Sequence, residues 1–368
     1  MVTSGLSTSW ISKLLKIKGG ITVTTKWLYW FDELCMGDIG LVGKKCANLG
    51  EMTKAKVSVP PGYALSLEAY QRFMRETGLT AEITGFLKRY GDEGPKGYGQ
   101  FMEASHFIKE LMEAKEMPAD MAALIKENYR KLCAQCGQGD VAVAVRSSGP
   151  VSLPGAFETY LNVKGEDDVV KHIIKVWAST FTVQAIGHRV NQHHPMLIDG
   201  IGVAILKMVK AKTAGVAFTM HPTTMDDTKI VIEGTWGLGE SVVGGGVSPD
   251  RIVVDKNTGE VEQHINPKLK QVVYQEKGTQ VIDVPEELRN VPCLSDEEIR
   301  RLVDLALSVE KYYGVAQDIE WVFDADMDPS RNLFLVQARN ISVVKEKKKD
   351  VEQIADLMLR RVFQRRSS

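Results

Sequence analysis

The chain has 368 residues, with 46 Lys and Arg against 47 Asp and Glu, a formal net charge of -1, 44% hydrophobic residues and 25% charged residues. That length can bury the cores of two or three lobes, and the balanced charge gives no electrostatic case for nucleic acid or an anionic membrane as partner. No apolar run reaches the ~18 residues that span a bilayer, and the five cysteines, sparse and odd in number, suit a reducing compartment, so a cytoplasmic protein is expected.

Residues 1–26 are rich in Ser and Thr and carry lysines inside their only apolar patch, which reads as an N-terminal extension rather than a signal peptide. Globular patterning starts at Trp27. Gly43 precedes Lys44 and Lys45, and a helical pattern runs on through Ala47, Leu49 and Met52. A glycine turn before a lysine-bearing helix start is one way to hold phosphate. The pattern is not GxxxxGK[ST], and surface lysines beside a turn are the plainer account. Val57–Ala64 reads as a strand broken at Pro60, Pro61 and Gly62, with Ser66 capping a helix that ends near Gly78. Residues 79–137 read as two or three scaffold helices. Cys133 and Cys136 form a lone CxxC at a helix end before Gly137, without the second pair that a zinc ribbon needs.

Val141–Val145 reads as a buried strand that delivers Arg146, Ser147, Ser148 and Gly149 into a loop, a usual place for ligand contacts. Pairing of Arg146 with Glu158 or another carboxylate is the alternative. Residues 166–192 are expected to be helical, and His188, His193 and His194 lack the neighbours of a tetrahedral metal site. Strands are expected at Ile201–Val209, Gly215–Met220 and Ile230–Glu233, followed by glycines at 234, 237, 239 and 244–246 that let backbone approach a ligand. Arg251–Asp255 and Gln271–Tyr274 read as two strands around a turn at Asn257-Thr258-Gly259. Ser295 to Glu298 form a capping box opening a helix with an apolar stripe through Ile299, Leu302, Val303, Ala306, Val309 and Tyr313, stopped by Gly314. Residues 345–368 read as a charged linker and a basic amphipathic helix.

Between these last two segments lies the most informative stretch. Asp318–Phe323 and Leu333–Arg339 read as the strands of a β-hairpin. Alternation puts Asp318 and Glu320 on one face and Ile319, Trp321 and Phe323 on the other. On the second strand it groups Gln337 with Arg339, and Phe334 with Val336 and Ala338. With the polar faces together, two carboxylates, an amide and a guanidinium converge. Carboxylate and amide oxygens suit Mg²⁺, and a guanidinium suits phosphate.

Several stretches taken together resemble one family. WFDEL, LVGKKCANLGEM, VPPGYALSLEAYQRFM, VAVRSSGPVSLPGAFETYLNV, GVAFTMHP, GTWGLGESVVGGGVSPDRIVV and DIEWVF with LFLVQAR are similar, in order, to the nucleotide-binding domain of phosphoenolpyruvate synthase, pyruvate phosphate dikinase and rifampin phosphotransferase. The resemblance implies an α+β, ATP-grasp-like fold of two lobes with mixed or antiparallel sheets, here residues 27–220 and 221–344, with ATP and Mg²⁺ between them. It implies Lys45 on the ATP phosphates, Arg146 on the phosphates being transferred, and Glu320 and Gln337 on Mg²⁺ with Asp318 alongside. Arg339 would stabilise charge on the transferring group, and Lys207, Met208 and Val209 would offer backbone groups to adenine. Gly237, Gly239 and Glu240 would line the ATP site, in a loop to Gly246 that would serve as a lid.

Three departures stand out. Lys44 replaces a family glycine, Leu206 stands where relatives often carry Gln, and the segment after Arg146-Ser147-Ser148 is short, closer to the dikinase form. None of the seven histidines sits in a phosphohistidine motif. The family's transfer to a histidine then implies a separate subunit carrying that histidine and the acceptor site. The branch of the family built this way, phenylphosphate synthase, has an ATP-binding subunit of similar size. The expected function is therefore transfer of a phosphoryl or pyrophosphoryl group from ATP, releasing AMP, in a phenol-phosphorylating complex. The alternatives are an excised ATP domain of a synthase or antibiotic phosphotransferase, or a nucleotide sensor.

Overall fold

A computed structural model describes residues 26–150, 157–239, 248–276 and 278–341. The strands, in chain order, are β1 (Leu28–Trp30), β2 (Gly62–Leu65), β3 (Val143–Ser148), β4 (Thr159–Val163), β5 (Gly202–Lys207), β6 (Ala211–Phe218), β7 (Lys229–Trp236), β8 (Asp250–Asp255), β9 (Val261–His264), β10 (Lys270–Tyr274), β11 (Thr279–Asp283), β12 (Gln317–Asp324) and β13 (Leu333–Asn340). The α-helices are α1 (Ile39–Lys54), α2 (Leu67–Glu76), α3 (Leu79–Leu87), α4 (Gly97–Glu113), α5 (Ala119–Gln135), α6 (Glu166–Ala178), α7 (Val183–Asn191) and α8 (Asp296–Tyr313).

Two antiparallel sheets organise these elements. The first has five strands in the order β1-β2-β5-β3-β4, the second six in the order β13-β12-β6-β7-β8-β9, and β10-β11 forms a separate two-stranded ribbon. The chain leaves the first sheet at Lys207 and enters the second at Ala211, so residues 208–210 are the crossover. The crossover thus lies ahead of the boundary at residue 220 suggested by the sequence, because β6 pairs with β7 and β12 and not with β5. The result is an α+β arrangement of the ATP-grasp-like kind.

Alternation splits the first sheet cleanly. Val143, Val145, Val203 and Ile205 face a core shared with α2 to α7, including Phe73, Trp177 and Phe181. Ala64, Ala144 and Ala204 face the other way. Their small side chains let α1 lie close, and its Val42, Cys46, Leu49 and Met52 join a second core. That core continues into the second sheet through Ile230, Ile232, Ile252, Ile319, Trp321 and Phe323, and is closed by Ile299, Leu302, Ala306 and Val309 of α8. One contiguous apolar core therefore ties the two sheets together behind any cleft between them.

Some local readings hold and others shift. The Ser295 hydroxyl accepts from the Glu298 amide at 3.3 Å, the Glu298 carboxylate accepts from the Ser295 amide at 2.9 Å, and Gly314 ends α8 in the left-handed region. Ser66 sits at the start of α2, but its hydroxyl is buried and makes no cap bond. The strand expected over Val57–Ala64 begins only at Gly62, because Pro60 and Pro61 cannot donate to a ladder. The partner of β8 across Asn257-Thr258-Gly259 is β9, whose four residues are all exposed, and Gln271–Tyr274 pairs instead with β11. Cys133 lies in the last turn of α5, its sulfur accepting from the Val141 amide at 3.4 Å. Residues 1–25, the tail from 342 and residues 151–156 lie outside the described residues.

Candidate functional site

The hairpin of β12 and β13 sets the site. Asp318 lies opposite Arg339 and Glu320 opposite Gln337. Beyond this pair the register shifts, so that Trp321 faces Leu335 and Val336 is the extra residue. Strict alternation would have put Leu333 and Leu335 with Gln337 and Arg339. The bulge instead sends both leucines, 7% and 0% exposed, into the core, and leaves Gln337 and Arg339 with the carboxylates. This corrects the grouping of Phe334 and Val336 with Ala338. A bulge re-aims side chains in this way next to functional sites.

Arg146 comes from the first sheet. It lies opposite Ala204 on β5, on the face that α1 covers. Its Nη2 donates to Glu320 Oε2 at 3.3 Å and its Nη1 to the carbonyl of Val336, the bulged residue, at 3.5 Å. Glu158 pairs with Lys109 instead, at 2.6 Å. Arg146 Nε is buried and without a partner. Gln337 Nε2 donates to Glu320 Oε1 at 2.9 Å, and Arg339 Nε to Asp318 Oδ2 at 2.6 Å.

Lys45 comes from α1, which is broken at Gly43, with φ +80 and ψ 166. A Cβ at Gly43 would lie 1.8 Å from the Ser148 carbonyl oxygen, so only glycine fits this approach of helix to strand. The Lys44 amide donates to the Gly149 carbonyl at 2.9 Å and the Cys46 amide to Ser148 Oγ at 3.0 Å. These two helix-start amides are thus satisfied by Ser148 and Gly149 at the end of β3, and Lys45 offers its side chain to an anion. Sequence reading placed Ser148 in a ligand loop. Its hydroxyl is instead a stitch between β3 and α1.

Lys45 responds to the charges around it. Burial, chiefly, and the charge of Arg146 push its ammonium down to about 8, with Arg339 acting in the same direction and Glu320 against. Burial raises the Asp318 carboxyl, outweighing the pull of Arg339. Three cations, Lys45, Arg146 and Arg339, thus surround two carboxylates, an excess of positive charge that a polyphosphate would relieve. Glu320 and Gln337 offer a carboxylate and an amide oxygen side by side, a hard donor set that fits Mg²⁺ completed by phosphate oxygens and water. Gln337 points its nitrogen at Glu320 here, so holding a metal requires the amide to turn.

The remaining expected residues lie on other segments. The Lys207 amide donates to Pro61 O at 2.9 Å and the Met208 amide to Ala142 O at 2.8 Å, while the Val209 carbonyl accepts from the Tyr274 hydroxyl. Leu206 is 3% exposed and lies in the second core. Gly237 and Gly239 follow β7, and Glu240 lies outside the described residues, as does most of the loop to Gly246. Glu233, which sequence reading passed over, lies across Val216 from Glu320 on the same sheet face, with Arg251 beyond it. Its one signal is a carboxylate interrupting an apolar strand. His193 and His194 are exposed.

Residues 39–358 match the family described as pyruvate phosphate dikinase, AMP/ATP-binding domain. The chain belongs to this family. Among its relatives, a probable phosphoenolpyruvate synthase of Methanocaldococcus jannaschii is 39% identical over 333 residues, covering 88% of this chain and 27% of the relative. A probable phosphoenolpyruvate synthase of Staphylothermus marinus is 38% identical, covering 90% of this chain and 43% of the relative. The phosphoenolpyruvate synthase of Aeropyrum pernix is 37% identical, covering 88% and 43%. This pyruvate phosphate dikinase-type domain therefore spans less than half the length of these curated relatives. No described helix is long and apolar enough to cross a membrane.

Proposed function

We propose that the cleft binds Mg-ATP and supports transfer of the pyrophosphoryl group of ATP, with release of AMP, to a histidine carried by another domain or a separate subunit, which keeps the β-phosphoryl group once the γ-phosphate leaves as inorganic phosphate. The observation that carries this reading is the meeting of Lys45, Arg146 and Glu320, the last two 174 residues apart in sequence. Phosphoryl transfer needs little covalent work from protein; it needs in-line positioning and neutralised oxygen charge. Lys45 and Arg146 would hold and orient the phosphates, and Arg339, braced by Asp318, would meet charge developing on the group in transit. Mg²⁺ on Glu320 and Gln337 would neutralise phosphate oxygens. The Lys207–Val209 backbone would take the adenine, and Gly237, Gly239 and Glu240 would lie along the nucleotide.

For the final acceptor, the relatives named phosphoenolpyruvate synthase support pyruvate, with phenol as the second candidate. The chain is incubated with ATP labelled at the β-phosphate and a histidine-bearing partner of either kind. AMP and an acid-labile label on one partner are expected, and the partner labelled names the acceptor. ATP bound without label or AMP under every pairing would leave a nucleotide sensor.

The pH dependence of binding follows from Lys45. Its charge is lost as pH rises through about 8, well below where a solvated lysine titrates, and the neutral amine no longer attracts phosphate. Mg-ATP affinity in calorimetric titrations should therefore fall above that pH, approaching tenfold per unit at the limit. Lys45→Arg keeps its charge throughout and should flatten the profile. A flat profile in the wild type would count against the role of Lys45.

A further inference from the structure

The β10–β11 ribbon belongs to neither large sheet, yet it touches three parts of the molecule. The Tyr274 hydroxyl at the end of β10 donates to the carbonyl of Val209, inside the 208–210 crossover between the sheets. The turn of the ribbon is held from the other lobe: Asn162 Nδ2 on β4 donates to the carbonyls of Gln275 at 2.7 Å and Gly278 at 2.8 Å. Asn162 is only 2% exposed and adopts φ +54, a left-handed conformation that Asn tolerates better than most residues. At the root of the glycine-rich segment, the Leu238 amide donates to the Val272 carbonyl at 2.9 Å, and Gly237 forms a parallel bridge with Val272. A Cβ at Gly237 would lie 2.3 Å from the Val272 carbonyl oxygen.

A lone two-stranded ribbon is marginally stable in water, and the outer Val281 is 61% exposed. The ribbon's position is thus set by what it grips. It grips the crossover, the first sheet and the segment after β7.

We propose that the β10–β11 ribbon positions the base end of the nucleotide cleft, with Tyr274 and Asn162 as its positioning residues. This rests on the reading that the cleft takes ATP with its base at Lys207–Val209. A purine 6-amino group donates to a backbone carbonyl, and a carbonyl already held in place loses less freedom on binding. Tyr274 holds the Val209 peptide, and Asn162 keeps the ribbon seated so that Tyr274 can do so. Because the same strand carries Val272, seating of the base is coupled to the backbone at Gly237 and Leu238. Leu206 is 3% exposed and has no polar side-chain atom to offer a base, which leaves the Val209 peptide held by Tyr274 to do so.

The test uses Tyr274→Phe, which removes one hydroxyl, and Asn162→Gly, which keeps the left-handed backbone accessible. Amide hydrogen exchange is first followed without nucleotide. Both variants should exchange at least about tenfold faster in β10, β11 and Leu238, the result of freeing a local unit while the global fold holds. Unchanged exchange in both overturns the proposal, whatever the cleft binds. ATP is then compared with purine riboside triphosphate, which lacks the 6-amino group. The wild type should prefer ATP, and Tyr274→Phe should lose most of that preference while its melting temperature stays at the wild-type value. Full preference retained in Tyr274→Phe overturns the proposal while leaving the ATP reading intact. A wild type that binds neither nucleotide removes the ATP reading and the base-positioning role with it.

Discussion

Arg339→Ala is expected to lower group transfer from ATP by about three orders of magnitude or more, in the range found when a charge-stabilising arginine is removed from a phosphoryl-transfer site. Binding of Mg-ATP should weaken far less, by about tenfold at most, because ground-state phosphates keep Lys45 and Arg146. The structure gives the reason for this split. Arg339 is 48% exposed in its side chain and is held by Asp318, itself 11% exposed, at 2.6 Å. It is a guanidinium braced on one side by Asp318 with about half of its side chain open to solvent. Arg146 in contrast is spent partly on Glu320 and Val336. Asp318→Asn keeps the shape and removes the charge of the brace, so transfer should fall by a smaller factor with ATP affinity nearly unchanged. Single-turnover transfer and equilibrium binding on the same preparations check both. Equal loss of binding and transfer in Arg339→Ala would sink the assignment of Arg339 to the moving group.

The second large effect concerns stability. Asp250→Ala should cost about 3–5 kcal/mol, the usual range for breaking a buried ion pair. Asp250 and Lys268 are 1% and 0% exposed in their side chains and 2.6 Å apart. Asp250 also accepts from the amides of Asn266 at 3.0 Å and Cys293 at 2.8 Å, and Lys268 donates to the Asn266 carbonyl at 3.0 Å. These bonds pin the segments before β10 and before α8 to the start of β8. Removing the carboxylate strands a buried ammonium and two amides at once. Lys268→Met should cost less, about 1–3 kcal/mol, because Asp250 keeps two amide donors. Denaturant unfolding monitored by tryptophan fluorescence measures both. A loss below about 1 kcal/mol for Asp250→Ala would show that the pair is replaceable by water or rearrangement.

Several parts of this protein were legible from sequence because their cause is local. The capping box at Ser295, the stop at Gly314 and the apolar stripe of α8 depend on residues within one or two turns. The shared face of Asp318 with Glu320, and that of Gln337 with Arg339, follow from alternation along each strand. Spacing alone left Lys45 and Arg146 as isolated basic residues, and only the family resemblance set them beside the hairpin. Tertiary structure decided the rest. The bulge at Val336 is fixed by the demand that Leu333 and Leu335 join Trp321 and Phe323, a demand made by α8 and the second sheet. The partner of β8, the crossover at 208–210 and the seat of the β10–β11 ribbon are choices among strands of similar local pattern. Strands carry no record of their neighbours in their own alternation. Their neighbours are set by which faces can be buried together and which backbone groups still need a partner, and both are properties of the whole chain.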